Sequence, residues 1–338
     1  MVKIAQFHQF GPAAKVIELA EQPDISNPEG DQLVVKMLAM SINPADILTI
    51  EGDYGIRPEL PNIPGAEGVG RIIKIGPAVK NLQAGDLVLP FGGGAWRESM
   101  MCREGAVIPL PADIDIDQAA MIKANPATAE IMLTSLVSLK DGDWVIQNAS
   151  NSAVGRYVIK IAKRKNLKVI AIARRADVVE MLKADGADVV IVADEKTDAV
   201  KMSEEMSLQT GGELPKLALD AVGGYASNQL AKCLADGGYV VNYGLLSGEP
   251  CKVDPFDLVF RRIELKGFWL ADWFKTASRD DILSMYGALI PLVMEGVISG
   301  AIEAKYPLDD VKQAVAHAAK PHRSGKILLT EPNTIGGI

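Results

Sequence analysis

The run from Trp144 to Lys163 has the pattern of a strand, a tight turn of small residues and a helix. Val154, Tyr157, Val158, Ile161 and Ala162 fall at i, i+3, i+4, i+7 and i+8, one face of a helix, and the segment before the turn is short and β-branched. A helix N-terminus that opens after a strand presents unpaired backbone N–H groups and positive dipole, which suits a pyrophosphate. Counted back from Gly155, the positions of a G-x-G-x-x-G fingerprint hold Ser150, Ser152 and Gly155. Only the last glycine keeps its usual form, and the same pattern fits any buried strand–helix unit. Arg174 and Arg175 lie roughly 20 residues further on, where a ribose-reading residue is expected. A carboxylate there would bind the free hydroxyls of NAD, whereas two guanidiniums can clamp a 2′-phosphate, so the expected cofactor is NADPH. Asp177 could still reach a ribose hydroxyl, and the arginines also fit a solvated basic pair at the sheet edge. Tyr54, in a glycine-flanked loop, could donate a phenolic hydrogen bond to a substrate oxygen. By its residue pattern alone it fits packing over a turn better.

These groups need a scaffold. After Gly155 the chain reads as strand Lys168 to Ala173, a helix ending near Gly186, strand Asp188 to Val192, and an amphipathic helix to about Leu208. Strand Lys216 to Ala221, a helix to Ala235, strand Tyr239 to Tyr243 and an apolar strand Leu265 to Leu270 follow. Alternation of this kind predicts a doubly wound parallel sheet buried on both faces. The first hundred residues differ, with short runs (Leu33 to Met40, Gly68 to Ile75, Asp86 to Pro90, Ala106 to Leu110) between Pro and Gly clusters, as in a largely antiparallel barrel. A helix over Ile116 to Leu136, bent or broken at Asn125-Pro126, a helix over Asp280 to Glu295, a strand near Ala301 to Tyr306, a helix over Leu308 to Ala318 and a strand Lys326 to Thr330 complete the reading. The fold class is therefore α/β, with 121–270 as the nucleotide domain, 1–120 and 271–338 joined as a β-rich substrate domain, and the active cleft expected between them.

The 338 residues carry a formal charge of −8, which offers no general attraction to nucleic acid or to an anionic membrane. No apolar run approaches a membrane span, and no secretory or transit segment is evident at the N-terminus. Cys102, Cys233 and Cys251 are widely separated and odd in number, which points to a reducing cytoplasm rather than a disulfide framework.

Several motifs carry a family resemblance. Asn43-Pro-Ala-Asp46, Leu60-Pro-Asn-Ile-Pro-Gly-Ala-Glu-Gly-Val-Gly70 and Ala84-Gly-Asp86 resemble the medium-chain dehydrogenase/reductase superfamily, with its GroES-like catalytic domain and Rossmann domain. Gly52-Asp-Tyr-Gly55, Asn125-Pro-Ala-Thr-Ala129, Gln147 to Gly155, Lys266-Gly-Phe-Trp-Leu270 and Ser324-Gly-Lys326 are similar to the mitochondrial-type 2-enoyl thioester reductases. That resemblance implies Tyr54 as catalytic acid, and Asn125, Asn151, Ser152, Ala153, Val154, Arg174, Arg175, Tyr243, Gly244, Leu245, Leu246, Phe268, Trp269, Leu270 and Lys326 as cofactor-binding residues. Trp269 would also wall the acyl pocket. It implies NADPH-dependent reduction of a trans-2-enoyl thioester of coenzyme A or acyl carrier protein, and a homodimer paired through the sheet edge near Ile263 to Leu270. An NADPH:quinone oxidoreductase and a non-catalytic NADPH-binding sensor share the two-domain plan and stand as alternatives. Zinc-dependent members carry a His before the Glu of the triplet that is here Gly65-Ala66-Glu67, and His8, His317 and His322 lie outside any ligand motif, so a zinc-free enzyme is expected. Glu130 departs from the family pattern, which often has an aromatic residue after Ala129; it could repel an acidic substrate or simply face solvent.

Overall fold

The computed structural model describes residues 1–321 and 323–331; His322 and the residues after 331 lie outside them. The chain forms two compact units, one of Met1–Ala124 with the described residues from Tyr286 onward, the other of Asn125–Met285. The first begins with β1 (Val2–Gln6), α1 (Ala13–Val16), β2 (Glu18–Gln22), β3 (Gln32–Ser41) and α2 (Pro44–Glu51). It continues through β4 (Gly68–Ile75), β5 (Leu87–Pro90), β6 (Ser99–Arg103), β7 (Val107–Leu110) and α3 (Ile116–Ala119). The second unit contains α4 (Asn125–Thr134), β8 (Trp144–Gln147), α5 (Ala153–Arg164), β9 (Lys168–Ala173), α6 (Val179–Asp185) and β10 (Val189–Val192). After these come α7 (Ala199–Thr210), β11 (Leu217–Asp220), α8 (Ala226–Cys233), β12 (Tyr239–Asn242), α9 (Pro255–Val259), β13 (Glu264–Gly267) and α10 (Leu270–Thr276). Helix α11 (Arg279–Met294) carries the chain back to the first unit, which ends with β14 (Ile302–Pro307), α12 (Val311–Ala318) and β15 (Lys326–Thr330).

The first unit holds a seven-stranded sheet in the order β14-β15-β3-β4-β5-β7, with β6 also paired to β3, and a separate β1-β2 hairpin. Only β14 and β15 pair in parallel; the other pairs are antiparallel. Phe7, Ile17, Leu33, Ile42, Ile50, Ile72 and Trp96 fill its core. Neither β2 nor β6 stands out in the sequence. The first is a half-exposed strand rich in charge, and the second, Ser-Met-Met-Cys-Arg, has no β-branched residue.

The second unit is one parallel sheet in the order β10-β9-β8-β11-β12-β13. Progress along the sheet reverses between β8 and β11, and ligands of such sheets bind at the carboxyl ends of the strands at that switch point. The apolar face expected of α5 is present, with Tyr157, Val158, Ile161 and Ala162 buried. The long helix expected over Ile116 to Leu136 is two helices, α3 and α4. Pro126 is the second residue of α4, where its missing N–H would have had no intrahelical partner, so the Asn-Pro pair starts a helix instead of bending one. The strand expected over Leu265 to Leu270 is shorter and not buried: all four residues of β13 are exposed at the sheet edge, and Leu270 opens α10.

Candidate active site

The nucleotide-type residues gather along one edge of the second unit. Residues 148–152 follow β8, Arg174 and Arg175 follow β9, the segment 243–246 follows β12 and 268–270 follows β13, all at carboxyl ends of parallel strands. The two serines that replace fingerprint glycines have partners of their own. Ser152 caps α5, its Oγ accepting from Gly155 N at 3.1 Å, and Ser150 Oγ donates to Gln147 O at 3.1 Å. The cap leaves the amides of Ala153 and Val154, in the first turn of α5, for an external acceptor. Gly155 has to be glycine, because a Cβ there would lie 2.7 Å from Ser150 O and 2.8 Å from Ala149 O. Ala149 itself sits at φ 46°, uncommon for a residue other than glycine.

Asp220, fully buried at the end of β11, fixes this edge. Its Oδ1 accepts from Asn148 Nδ2 at 2.7 Å and from the amides of Val222 and Gly223, both at 2.9 Å. Its Oδ2 accepts from Ser227 Oγ at 2.6 Å and Asn242 Nδ2 at 3.3 Å. Arg174 and Arg175 are both exposed. Arg175 pairs with Asp177 at 3.3 Å, while Arg174 makes no ion pair among the described residues. Burial holds the Tyr243 phenol well above its ordinary value, with the Asp220 carboxylate adding to the effect, so it stays protonated. Trp269 stands at the N-cap of α10, with the Lys275 ammonium 5.1 Å from its ring centroid, and Asn125 opens α4. The capped helix, the glycine-only crossing and the exposed guanidiniums together fit a dinucleotide phosphate.

In the first unit, α2 aims the Tyr54 loop. A capping box starts the helix, with Asn43 N donating to Asp46 Oδ2 at 2.8 Å. Gly52 ends it at φ 87°, a left-handed conformation that favours glycine. Arg57 Nε donates back to Gly52 O at 3.1 Å, and the guanidinium lies 4.6 Å from the Phe10 ring centroid, which fixes the far side of the loop. Tyr54 itself is half-buried.

Beneath α2 lies a polar cluster whose roles the sequence did not show. Asp46 Oδ1 accepts from Ala66 N at 2.8 Å, and burial raises its carboxyl to about 6. Glu67 accepts from Ser41 Oγ, from Asn43 Nδ2 at 2.8 Å and from Ala124 N at 2.8 Å. Lys326 Nζ donates to Asn43 Oδ1, and burial lowers its ammonium. Glu303 shapes the turn before Lys326, accepting from Ser324 Oγ at 2.9 Å and Gly325 N at 3.2 Å. The same carboxylate contacts His317 Nε2 at 2.7 Å, whose Nδ1 faces Tyr306 Oη at 2.9 Å. The only hint in the sequence is that Asp46 and Glu67 both stand in otherwise apolar surroundings.

Glu130 neither faces solvent nor stands free to repel a substrate. It is buried on α4 and pairs at 2.8 Å with Lys165, the C-cap of α5. His8 lies 3.1 Å from Glu18 on the surface, and His322 lies outside the described residues.

Family models match both parts of the chain. Residues 29–112 match the alcohol dehydrogenase GroES-like domain and residues 153–284 the zinc-binding dehydrogenase domain. The mitochondrial enoyl-[acyl-carrier-protein] reductase of Rattus norvegicus is 39% identical over 97% of this chain and 88% of its own length. The chain belongs to the medium-chain dehydrogenase/reductase superfamily, among its enoyl reductases. Two solved structures agree with this. A candidate NADPH:quinone reductase from Bacillus thuringiensis has a TM-score of 0.89 and 32% identity over 98% of this chain and 99% of its own. The Etr1p/NADP/crotonyl-CoA complex has a TM-score of 0.86 and 29% identity over 97% and 99%. This medium-chain reductase is an NADPH-dependent oxidoreductase. The cytoplasmic expectation does not stand, since the rat, mouse and human relatives are all mitochondrial proteins. Separated thiols report a reducing setting and carry no address.

One matched model is named for zinc, yet the donors of this reductase do not fit that metal. Ala66 has no ligating atom in its side chain, and Glu67 is engaged by three hydrogen-bond donors. No group of three His, Cys, Asp or Glu among the described residues could hold a metal ion.

Asp46 gives the cluster a pH signature. Its folded value near 6 lies above the unfolded value near 3.8, so its contribution to stability is present below about pH 4 and lost as pH rises through 6. Asp46→Asn should flatten the dependence of unfolding free energy on pH across that window by about 3 kcal/mol. Denaturant titrations at several pH values would measure it, and an unchanged slope would remove Asp46 as the titrating group.

Proposed function

We propose that this reductase transfers a hydride to the β-carbon of a trans-2-enoyl thioester, with Tyr54 as hydrogen-bond or proton donor. The observation that carries the reading is the identity with an enoyl-acyl-carrier-protein reductase along nearly the whole chain. The amides of Ala153 and Val154 with the Ser152 cap would hold the pyrophosphate of NADPH, and Arg174 with Arg175 its 2′-phosphate. Bound there, NADPH supplies the hydride. Negative charge would develop on the thioester oxygen, and Tyr54, a neutral phenol, would donate toward it while the α-carbon takes its proton from that phenol or from solvent. Segments 243–246 and 268–270, Asn125 and Lys326 are read as further cofactor contacts, and Trp269 as a wall of the acyl pocket. A second reading, quinone reduction, draws support from the 0.89 TM-score to the candidate quinone reductase.

NADPH oxidation should be fast with a crotonyl thioester and slow with benzoquinone or with no acceptor. Quinone-only turnover would install the second reading, and tight NADPH binding without any turnover would make the protein a sensor. Tyr54→Phe should lower kcat about 100-fold with little change in NADPH affinity.

The arginines differ in their expected effect. Because Asp177 already faces Arg175, Arg174→Ala should cost more, about 10-fold or greater in the Kd for NADPH, and nothing for NADH. Equal losses for the two cofactors, read by fluorescence titration, would defeat the 2′-phosphate assignment.

The partner of the second unit's edge is read as another copy of this chain. Strand β13 is exposed throughout, Ile263 N bonds Asp257 O at 3.0 Å to bring α9 beside it, and Phe256, Val259 and Phe260 are 56%, 64% and 66% exposed. An uncovered edge flanked by apolar side chains suits strand pairing across a two-fold axis. Sedimentation should find a dimer at micromolar concentration and a monomer for Val259→Glu with Leu265→Lys; a monomeric parent protein would reject the pairing.

A further inference from the structure

Lys123 is a buried cation that the reaction as read above does not use. It is 8% exposed, and its Nζ donates to Ala66 O at 2.7 Å and Gly92 O at 3.0 Å. The next amide, Ala124 N, donates to Glu67 Oε2 at 2.8 Å, so residues 123 and 124 clasp residues 66 and 67 pairwise. The Lys123 carbonyl accepts from the fully buried Tyr286 hydroxyl at 3.0 Å, which fixes the backbone that carries the side chain. The carboxylates of Glu67 and of Asp46 from α2, and the Cys102 thiol from β6, act electrostatically on the ammonium. The Phe91 ring centroid lies 5.6 Å away. Glu67 also acts electrostatically on the Tyr286 phenol from α11, and both acids act on the Lys326 ammonium from β15.

Buried carboxylates need compensating charge as well as hydrogen bonds. Here the carbonyl of Ala66 anchors an ammonium, while the amide of the same residue donates to Asp46. We propose that the Lys123 ammonium is the fixed counter-charge of the Asp46 and Glu67 pocket, held there by the same residues, Ala66 and its neighbours, that bond the two acids. Burial lowers the ammonium to about 8 while Glu67 and Asp46 pull it upward, so it is charged through the acid and neutral range.

The test compares melting temperatures of the parent protein, Lys123→Met, and Lys123→Met combined with Glu67→Gln, at about pH 5 and about pH 7. The single variant should lose more at pH 7 than at pH 5, because its uncompensated acids must take up protons to stay buried. The double variant should recover part of the loss at pH 7. A loss equal at both pH values, or no recovery in the double variant, would overturn the proposal and leave Lys123 a packing residue. If the single variant does not fold at all, the double variant decides: folding sustains the counter-charge role and failure overturns it. The readout is stability, so the result does not depend on which acceptor the enzyme reduces.

Discussion

One fully buried carboxylate organises the nucleotide unit. Asp220 ends β11 at the point where the strand order reverses, and it gathers the ends of three strands: its own, that of β8 through Asn148, and that of β12 through Asn242. A parallel sheet leaves its strand-end loops without the hairpin bonds that order an antiparallel one, so something else must fix them. Five hydrogen bonds on one side chain do so here, three on Oδ1 and two on Oδ2, which draws on the full acceptor capacity of a carboxylate. The turn at residues 148–152 inherits its position from that node, because Asn148 is held by Asp220 on one side and by the Ala221 amide, at 2.8 Å, on the other.

That node explains how a fingerprint with serine in two glycine places still builds a tight strand-to-helix turn. Glycine in such a loop serves close backbone approach. At Gly155 the requirement survives, since two carbonyls sit where a Cβ would go. At positions 150 and 152 it does not, and each serine hydroxyl instead meets a local backbone group. The motif is degenerate in letters while its turn-and-helix geometry persists, so spacing reads it better than glycine counting.

Legibility in the sequence followed periodicity. Strand β9 and the buried face of α5 could be read directly, because a parallel sheet covered on both faces forces long apolar runs and a strict helical repeat. Strands β2 and β6 could not, since a half-exposed strand and one without β-branched residues have little pattern to show. Strand β13 was overread: Leu265 suggested burial, but the strand lies at an edge where only pairing with another chain would cover it. Glu130 was misread for a related reason. A carboxylate in an apolar helix looks like a departure aimed at substrate, and only the fold reveals Lys165 reaching it from another helix. Tyr54 is singled out by resemblance alone, since one phenol has no periodicity to betray it.

The zinc question separates what a fold preserves from what a site preserves. A family model named for zinc matches residues 153–284, the apolar pattern of a parallel sheet, while the triplet that would ligate metal lies at residues 65–67 in the other unit. Core periodicity is spread over many residues and tolerates substitution, whereas metal binding depends on a few side chains and disappears when one of them becomes alanine. Once the ligand is gone, the neighbouring acids remain buried and need donors and positive charge from the protein itself. Ser41, Asn43 and the amides of Ala66 and Ala124 provide the donors, and Lys326 reaches the same cluster through Asn43. The buried acids of the pocket are thus satisfied by donors of this chain's own.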